Sequence, residues 1–297
     1  MGSNTGVYNN FLGLPPEQTR FETSKVGVIQ APLENTTSFQ HGTRNGPQAF
    51  LRASEQVELY DIESGLDFSK VGVTTLPAPK LEELDNVSAL KIIENDVRRV
   101  VDHNLWPITL GGEHTISYAP IKVLKEKFPD LCVLQIDAHA DMRETYEGSP
   151  FSHACVMKRV SDMGIKVVGV GIRNYSQDEA AIIREGRKYC AFHGHEVKDH
   201  LDAKKICKEL TYNVYLTIDI DGFDPSECPG TGTPEPGGLR WYQVIDLMKQ
   251  LFRDHNVVGV DINEIMPIEG DSRTEFLAAK LAYKLIGYKF FPNQTAF

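Results

Sequence analysis

Apolar and polar positions along this chain follow two rhythms. Short β-branched runs lie at residues 26–30, 71–75, 106–110, 132–136, 166–170, 189–192, 214–220 and 257–262. Several place apolar residues back to back, as in Val167-Val168 and Val257-Val258. Strands of that kind are buried on both faces, which belongs to parallel sheets covered by helices. Between the runs, Leu84, Val87, Leu90, Ile93, Val97 and Val100 step by three and four and form one helical stripe. Val244, Met248 and Leu251 repeat the pattern, as do Leu277, Leu281 and Leu285. Pro47 suits the first turn of a helix running to about Tyr60. Strands alternating with helices predict one α/β domain with a mainly parallel sheet over residues 1–297, the first 24 or so forming an N-terminal extension. The Gly/Pro-rich stretch 229–238 follows a strand and reads as a shaped loop rather than a linker.

Composition narrows this picture without deciding it. With 41% hydrophobic and 24% charged residues, the chain has an ordinary globular make-up. At 297 residues it can bury roughly 75% of its unfolded surface and needs no disulfide staple. The five cysteines show no C-x-x-C pair, which predicts reduced thiols and a cytoplasmic protein. The opening MGSNTGVYNN has neither the basic region nor the apolar run of a secretory signal, and Gly6 stands where an acylated Gly2 would want Ser or Thr. No apolar run reaches the length of a membrane span. The formal charge of -10 repels phosphate backbones and anionic lipid, so neither nucleic acid nor membrane is an expected partner. It favours cationic ligands or metal ions, although many proteins are acidic for solubility alone.

Ligands of α/β sheets bind at the carboxyl ends of the strands. The fourth run ends in Asp137-Ala138-His139-Ala140-Asp141, and period-2 geometry puts its three polar side chains on one side if the strand continues. Carboxylates crowded in this way repel, and a divalent cation resolves the conflict. The seventh run leads into Asp219-Ile220-Asp221-Gly222-Phe223-Asp224-Pro225. Alone, that segment also fits a turn held by Asx hydrogen bonds, and Asp224 reads as such a turn residue. The third run ends in Gly111-Gly112-Glu113-His114, where the glycines permit a tight turn and a helix begins around His114. Four Asp and two His exceed what a single tetrahedral zinc needs. They suit a pair of harder ions such as Mn²⁺, about 3.5–4 Å apart and able to drive hydrolysis.

These motifs resemble a known family. Gly111-Gly112-Glu113-His114, Asp137-Ala138-His139-Ala140-Asp141 and the block from Asp219 to Gly238 look like the three signature blocks of the ureohydrolases, arginase and agmatinase among them. The resemblance runs in order from about Val26 to Tyr288. It implies a three-layer α/β/α fold with an eight-stranded sheet, a binuclear manganese centre and a homotrimer or homohexamer. Carried over by position, it assigns His114 and Asp141 to one ion, His139 and Asp221 to the other, and Asp137 and Asp219 to both. His153 falls where the family has its proton-shuttling histidine, and Glu264 matches the glutamate that grips the guanidinium. Unaided, they read as a loop histidine and an end-of-strand ion pair. Asp261 reads as structural.

The resemblance is closer to agmatinase than to arginase. Loop 143–152 has no Asn, Ser176 falls where arginases place an amine-binding acid, and Thr233-Pro234-Glu235-Pro236-Gly237-Gly238 has the agmatinase form. The expected activity is therefore hydrolysis of agmatine to putrescine and urea, with two Mn²⁺, or Ni²⁺ in their place. Glu147, Tyr146 and Glu235 are candidates for the ammonium tail of this small cationic guanidino substrate. Arg143 sits awkwardly beside such a tail and keeps 4-guanidinobutanoate open, with arginine and free guanidine as other family substrates. A non-catalytic metal-binding relative would have lost ligands, and here every ligand position is filled. A barrel-type metal hydrolase would want its His pair on the first strand.

Overall fold

The computed structural model describes residues 9–295. The segment read above for a leader or an acylated glycine falls almost wholly at residues 1–8, outside the described residues. Eight strands form one sheet: β1 (Val26–Ala31), β2 (Val73–Thr75), β3 (Trp106–Gly111), β4 (Cys132–Ile136), β5 (Val167–Ile172), β6 (Tyr189–His193), β7 (Asn213–Asp219) and β8 (Asn256–Asn263). Their spatial order is β2-β1-β3-β8-β7-β4-β5-β6, and every pairing is parallel. All eight apolar runs are strands of this sheet. Their alternate side chains feed two separate cores. Cys132, Leu134 and Ile136 of β4 join one with Leu216 and Ile218 of β7, whereas Val133 and Tyr215 face the other.

Helices cover both faces and give three layers. α1 (Gly46–Ser54), α8 (Trp241–Asp254) and α9 (Arg273–Phe290) supply Phe50, Met248 and Leu281 to the first core. α2 (Asn86–Asp102), α3 (Tyr118–Lys127) and α4 (Val156–Asp162) supply Ile93, Val123 and Val156 to the second. α5 (Gln177–Glu185) starts on a capping box in which Ser176 and Glu179 satisfy each other's backbone N–H, and two short helices, α6 (Gly194–Val197) and α7 (Ala203–Cys207), follow β6.

Some boundaries differ from the sequence expectation. α1 stops at Ser54, not near Tyr60, and Tyr60 instead enters a short antiparallel ribbon, Tyr60–Asp61 with Leu66–Asp67. The second run contributes only Val73–Thr75, because Phe68–Val71 form a 3-10 turn and Gly72 takes a left-handed φ of 76°. Val87 is 59% exposed, so the stripe of α2 begins a turn later. The described part of the N-terminal extension is no loose arm. Phe11 and Leu14 are buried, and the ring of Phe11 stacks on Phe50 at 5.4 Å.

Register positions the chemistry. Leu110 of β3 pairs with Ile262 of β8, Ile262 with Ile218 of β7, and Ile218 with Ile136 of β4. Four adjacent strands thus end level. The next residues along β8, β7 and β4 are Asn263, Asp219 and Asp137, at the carboxyl edge of the sheet.

Candidate metal centre and substrate cavity

The six expected ligands converge on that edge. Nδ1 of His114 lies 2.9 Å from Asp141 Oδ2, 3.1 Å from Asp137 Oδ2 and 3.5 Å from Asp219 Oδ2. Nδ1 of His139 lies 3.0 Å from Asp221 Oδ2 and 3.7 Å from Asp137 Oδ1. Two overlapping triads have all their ligand atoms within 4.8 Å of one another: His114, Asp137 and Asp219, and Asp137, His139 and Asp221. Asp137 belongs to both.

The local backbone achieves this differently from a continued strand. β4 ends at Ile136, and Asp137 to Asp141 turn away, with Asp141 in the left-handed region at φ 52°. Asp137 Oδ1 accepts the N–H of His139 at 2.6 Å, and Asp219 Oδ1 accepts that of Asp221 at 3.0 Å, within a 3-10 turn. The Asx turn and the candidate ligand pair are therefore the same structure. Asp224 is a turn residue as expected, accepting from the backbone of Ser226, Gly237 and Gly238. The two glycines before Glu113 have a different purpose from the one anticipated. Neither takes a positive φ; instead, a Cβ on Gly112 would sit 2.0 Å from the carbonyl oxygen of Leu33, and one on Gly111 would sit 1.9 Å from Asn263 Oδ1.

Polar residues inside the sheet hold these candidate ligands. His114 Nε2 lies 2.8 Å from Thr217 Oγ1, whose hydroxyl donates to Asp261 at 2.6 Å. Asp261 is buried and also accepts from Tyr215 and Asn263, so its structural role is to anchor His114 through Thr217. Gln135 Nε2 donates to Asp137 Oδ2 at 2.7 Å and is itself oriented by the hydroxyl of Tyr189. Sequence reasoning passed over Thr217 and Gln135, although a polar side chain in the middle of an apolar strand was a visible signal. Thr36, which meets the ring of His153, carried no such mark.

The electrostatics show a cluster of acids with little positive charge beside it. Burial opposes charge on both imidazoles, yet the facing carboxylates outweigh it and raise His114 and His139. Asp137 is likewise disfavoured by burial, but the hydrogen bonds of both histidines hold it below the usual carboxylate range. Burial and neighbouring carboxylates push Asp219 up, and Asp141 to about 7. Among the described residues, no lysine or arginine pairs with any of these four aspartates. A buried set of acids with only imidazoles for counter-charge is resolved by divalent cations on the same atoms. An all-nitrogen-and-oxygen donor set suits an ion harder than one chosen by thiolates.

Glu264 follows β8 with φ 60°, and its Oε1 accepts the backbone N–H of His114 at 2.7 Å. It lines a cavity of about 30 Å³ directly over the cluster, together with His153 and Thr233. Burial, with Glu113 and Asp221 nearby, raises its carboxyl. A second chamber of about 220 Å³ shares His139, Asp141, His153 and Thr233 with the first and extends to Arg143, Tyr146 and Glu179. Of the three tail candidates, Tyr146 lines this chamber, its ring edge-on to His153 at 5.5 Å. Glu147 is exposed at the tip of the turn between Tyr146 and Ser149, and lines neither cavity. Glu235 accepts from Asn174 at 2.6 Å and stands outside both linings. Arg143 approaches the buried Glu179 at 3.7 Å and stacks over Tyr146 at 5.2 Å. Glu144, its neighbour in sequence, pairs with Lys158 and Arg159 instead. Ser176 caps α5.

Comparison with known proteins agrees with this geometry. The profile described as "Arginase family" matches residues 24–287. The N(1)-aminopropylagmatine ureohydrolase of Synechocystis sp. is 38% identical over 91% of this chain and 90% of its own length. The agmatinase of Pyrococcus horikoshii is 33% identical over 88% of this chain and 90% of its own. The crystal structure of the agmatine ureohydrolase of Thermoplasma volcanium superposes with a TM-score of 0.83 at 31% identity, covering 91% of this chain and 92% of that one. With that match spanning nearly the whole described chain, and with acidic and imidazole ligands converging at its strand ends, this chain belongs to the arginase family of ureohydrolases.

Proposed function

We propose that this enzyme cleaves the guanidino group of agmatine to urea and putrescine, at a centre of two divalent ions of which Mn²⁺ is the first choice and Ni²⁺ the alternative. The observation that carries the reading is the convergence of His114, Asp137, His139, Asp141, Asp219 and Asp221 under a cavity rimmed by Glu264 and His153. Those six side chains would hold the ions, which when bound supply Lewis acidity and activation of water at neutral pH. The protein groups do the rest. The carboxylate of Glu264 meets the planar guanidinium with paired hydrogen bonds. His153, whose pKa burial lowers, is placed to take a proton at one ring nitrogen and pass it to the departing amine nitrogen. The side chamber receives the tail.

An amine tail is favoured over a carboxylate tail because the Arg143 guanidinium is already engaged by Glu179 and Tyr146. A second reading, N1-aminopropylagmatine, is supported by the room in the chamber and by the activity named for the Synechocystis relative. The test is urea release from metal-stripped protein resupplied with Mn²⁺ or Ni²⁺, across agmatine, N1-aminopropylagmatine, 4-guanidinobutanoate, arginine and guanidine. Turnover of a guanidino acid with none of either amine would overturn the assignment. Cytoplasmic location and a homotrimeric or homohexameric state belong to the same proposal, the latter checked by light scattering in solution.

A further inference from the structure

Glu113 is wholly buried, yet it is no ligand of the centre; it accepts five hydrogen bonds instead. The donors are the backbone N–H of Asn35 at 2.7 Å, the backbone N–H and hydroxyl of Thr36 at 2.6 and 2.9 Å, Thr115 Oγ1 at 2.7 Å and Asn86 Nδ2 at 3.2 Å. An ionised carboxylate only accepts hydrogen bonds. The single hydroxyl proton of Thr36 is therefore directed at Glu113, and the Thr36 oxygen is left to accept. Two groups of His153 meet that oxygen: its backbone N–H at 3.1 Å and its ring Nδ1 at 3.2 Å. Ser152 Oγ, 3.4 Å from the same ring nitrogen, is a longer contact and is able to accept as well.

We infer that Glu113 and Thr36 are positioning residues that fix the ring of His153 as the Nδ1–H tautomer and leave the lone pair of Nε2 free at the cavity. The tautomer of a histidine is set by the hydrogen bond its other nitrogen makes. Here the chain of polarity runs from a buried carboxylate through one hydroxyl to Nδ1, so only Nε2 is free to take and release a proton. The same carboxylate clamps the backbone of residues 35 and 36 next to His114, which ties the position of the proton carrier to that of a metal ligand. Asn86 completes the frame, because its Nδ2 also donates to the carbonyl of Phe151 at 2.6 Å, just before His153. The inference rests on the reading of His153 as the proton carrier, but its structural part is measurable without activity.

The test is long-range ¹H–¹⁵N correlation of the histidine rings in ¹⁵N-labelled full-length protein loaded with diamagnetic Mg²⁺. The His153 signals are assigned by their loss in His153→Asn. The expected spectrum shows His153 neutral and protonated on Nδ1. Thr36→Val keeps the shape but not the hydroxyl; it is expected to lose that single-tautomer signature and to lower kcat with agmatine on the order of 10- to 100-fold, with little change in KM. Thr36→Ser is expected to restore both. A wild-type ring protonated on Nε2, or a Thr36→Val protein with unchanged tautomer and kcat, overturns the inference. If Thr36→Val does not fold, the wild-type spectrum and Thr36→Ser still decide. Full activity in His153→Asn would instead remove the proton-carrier reading and leave the tautomer assignment to its own measurement.

Discussion

Single side chains at this edge of the sheet depend on one another through charge. Asp137 reaches both histidines and takes part in both ligand triads. Asp137→Asn removes charge from both ion sites at once. Metal content measured by plasma spectrometry is expected to fall from two ions towards none, with activity lost; two tightly held ions in this variant would sink the binuclear assignment. Glu264→Gln keeps the size of the side chain and its contact with the His114 N–H, but pairs a neutral amide with a guanidinium. Losing a charge-assisted hydrogen bond costs about 1.5–3 kcal/mol, which predicts a kcat/KM for agmatine lower by roughly 10- to 150-fold with metal content unchanged. Several of these residues stood out in the sequence because ligand-type side chains closed apolar strands. Thr36 did not. It lies 117 positions from His153, and no local pattern joins a threonine after the first strand to a histidine after the fourth.

The elements turn those residues into a site, and close approach between them is the limiting condition. Gly112 passes so near Leu33 that an added methyl group meets a carbonyl oxygen at 2.0 Å. Gly112→Ala is expected to displace the segment carrying Glu113 and His114, seen as weaker metal binding and a lower melting temperature; a variant with native values in both would show that the strand ends are free to move apart. On the far side, α9 is tied to the ribbon at residues 60–67 by Lys284, which is buried and lies 2.6 Å from Asp61 and 3.0 Å from Glu63. Removing one partner of a buried pair costs about 3–5 kcal/mol, which is the destabilisation expected for Lys284→Met in urea unfolding. Burial works to raise the pKa of Asp61, but the hydrogen bonds from Lys284 and Ser64, with the Lys284 charge, together outweigh it and the net shift is downward. A depressed folded pKa means that the stabilisation is present above the unfolded value of about 3.9 and is lost as pH falls through the folded one. The gap between wild type and Lys284→Met should therefore narrow below about pH 4. The strands and the main helices were legible because burial on one or both faces writes a period into the sequence. The end of α1, the short ribbon and the turn that replaces a continued β4 were not, because hydrogen bonds and a left-handed Asp141 decide them and hydrophobicity does not.

For the molecule as a whole, a folded state that gathers four aspartates is tied to the ions that neutralise them. An ion supplied at a hundred times its dissociation constant is expected to add about 2.7 kcal/mol to unfolding stability, read as the difference between metal-loaded and chelator-treated protein. Equal stability in the two states would leave the centre without a bound ion. The formal charge of -10 also predicts that kcat/KM for a cationic guanidine falls as salt is raised, since screening weakens long-range capture. The sequence by itself determined the alternating α/β character, the strands and the six ligand-type residues that close three of them. It did so because a strand buried on both faces and a carboxylate at its end each leave a local mark. Only the tertiary structure decided which strands stand side by side, that Leu110, Ile262, Ile218 and Ile136 end level, and that Glu113 reaches His153 through Thr36. Strand order, register and contacts between distant segments are set by packing across the whole sheet, and no stretch of the chain contains them alone.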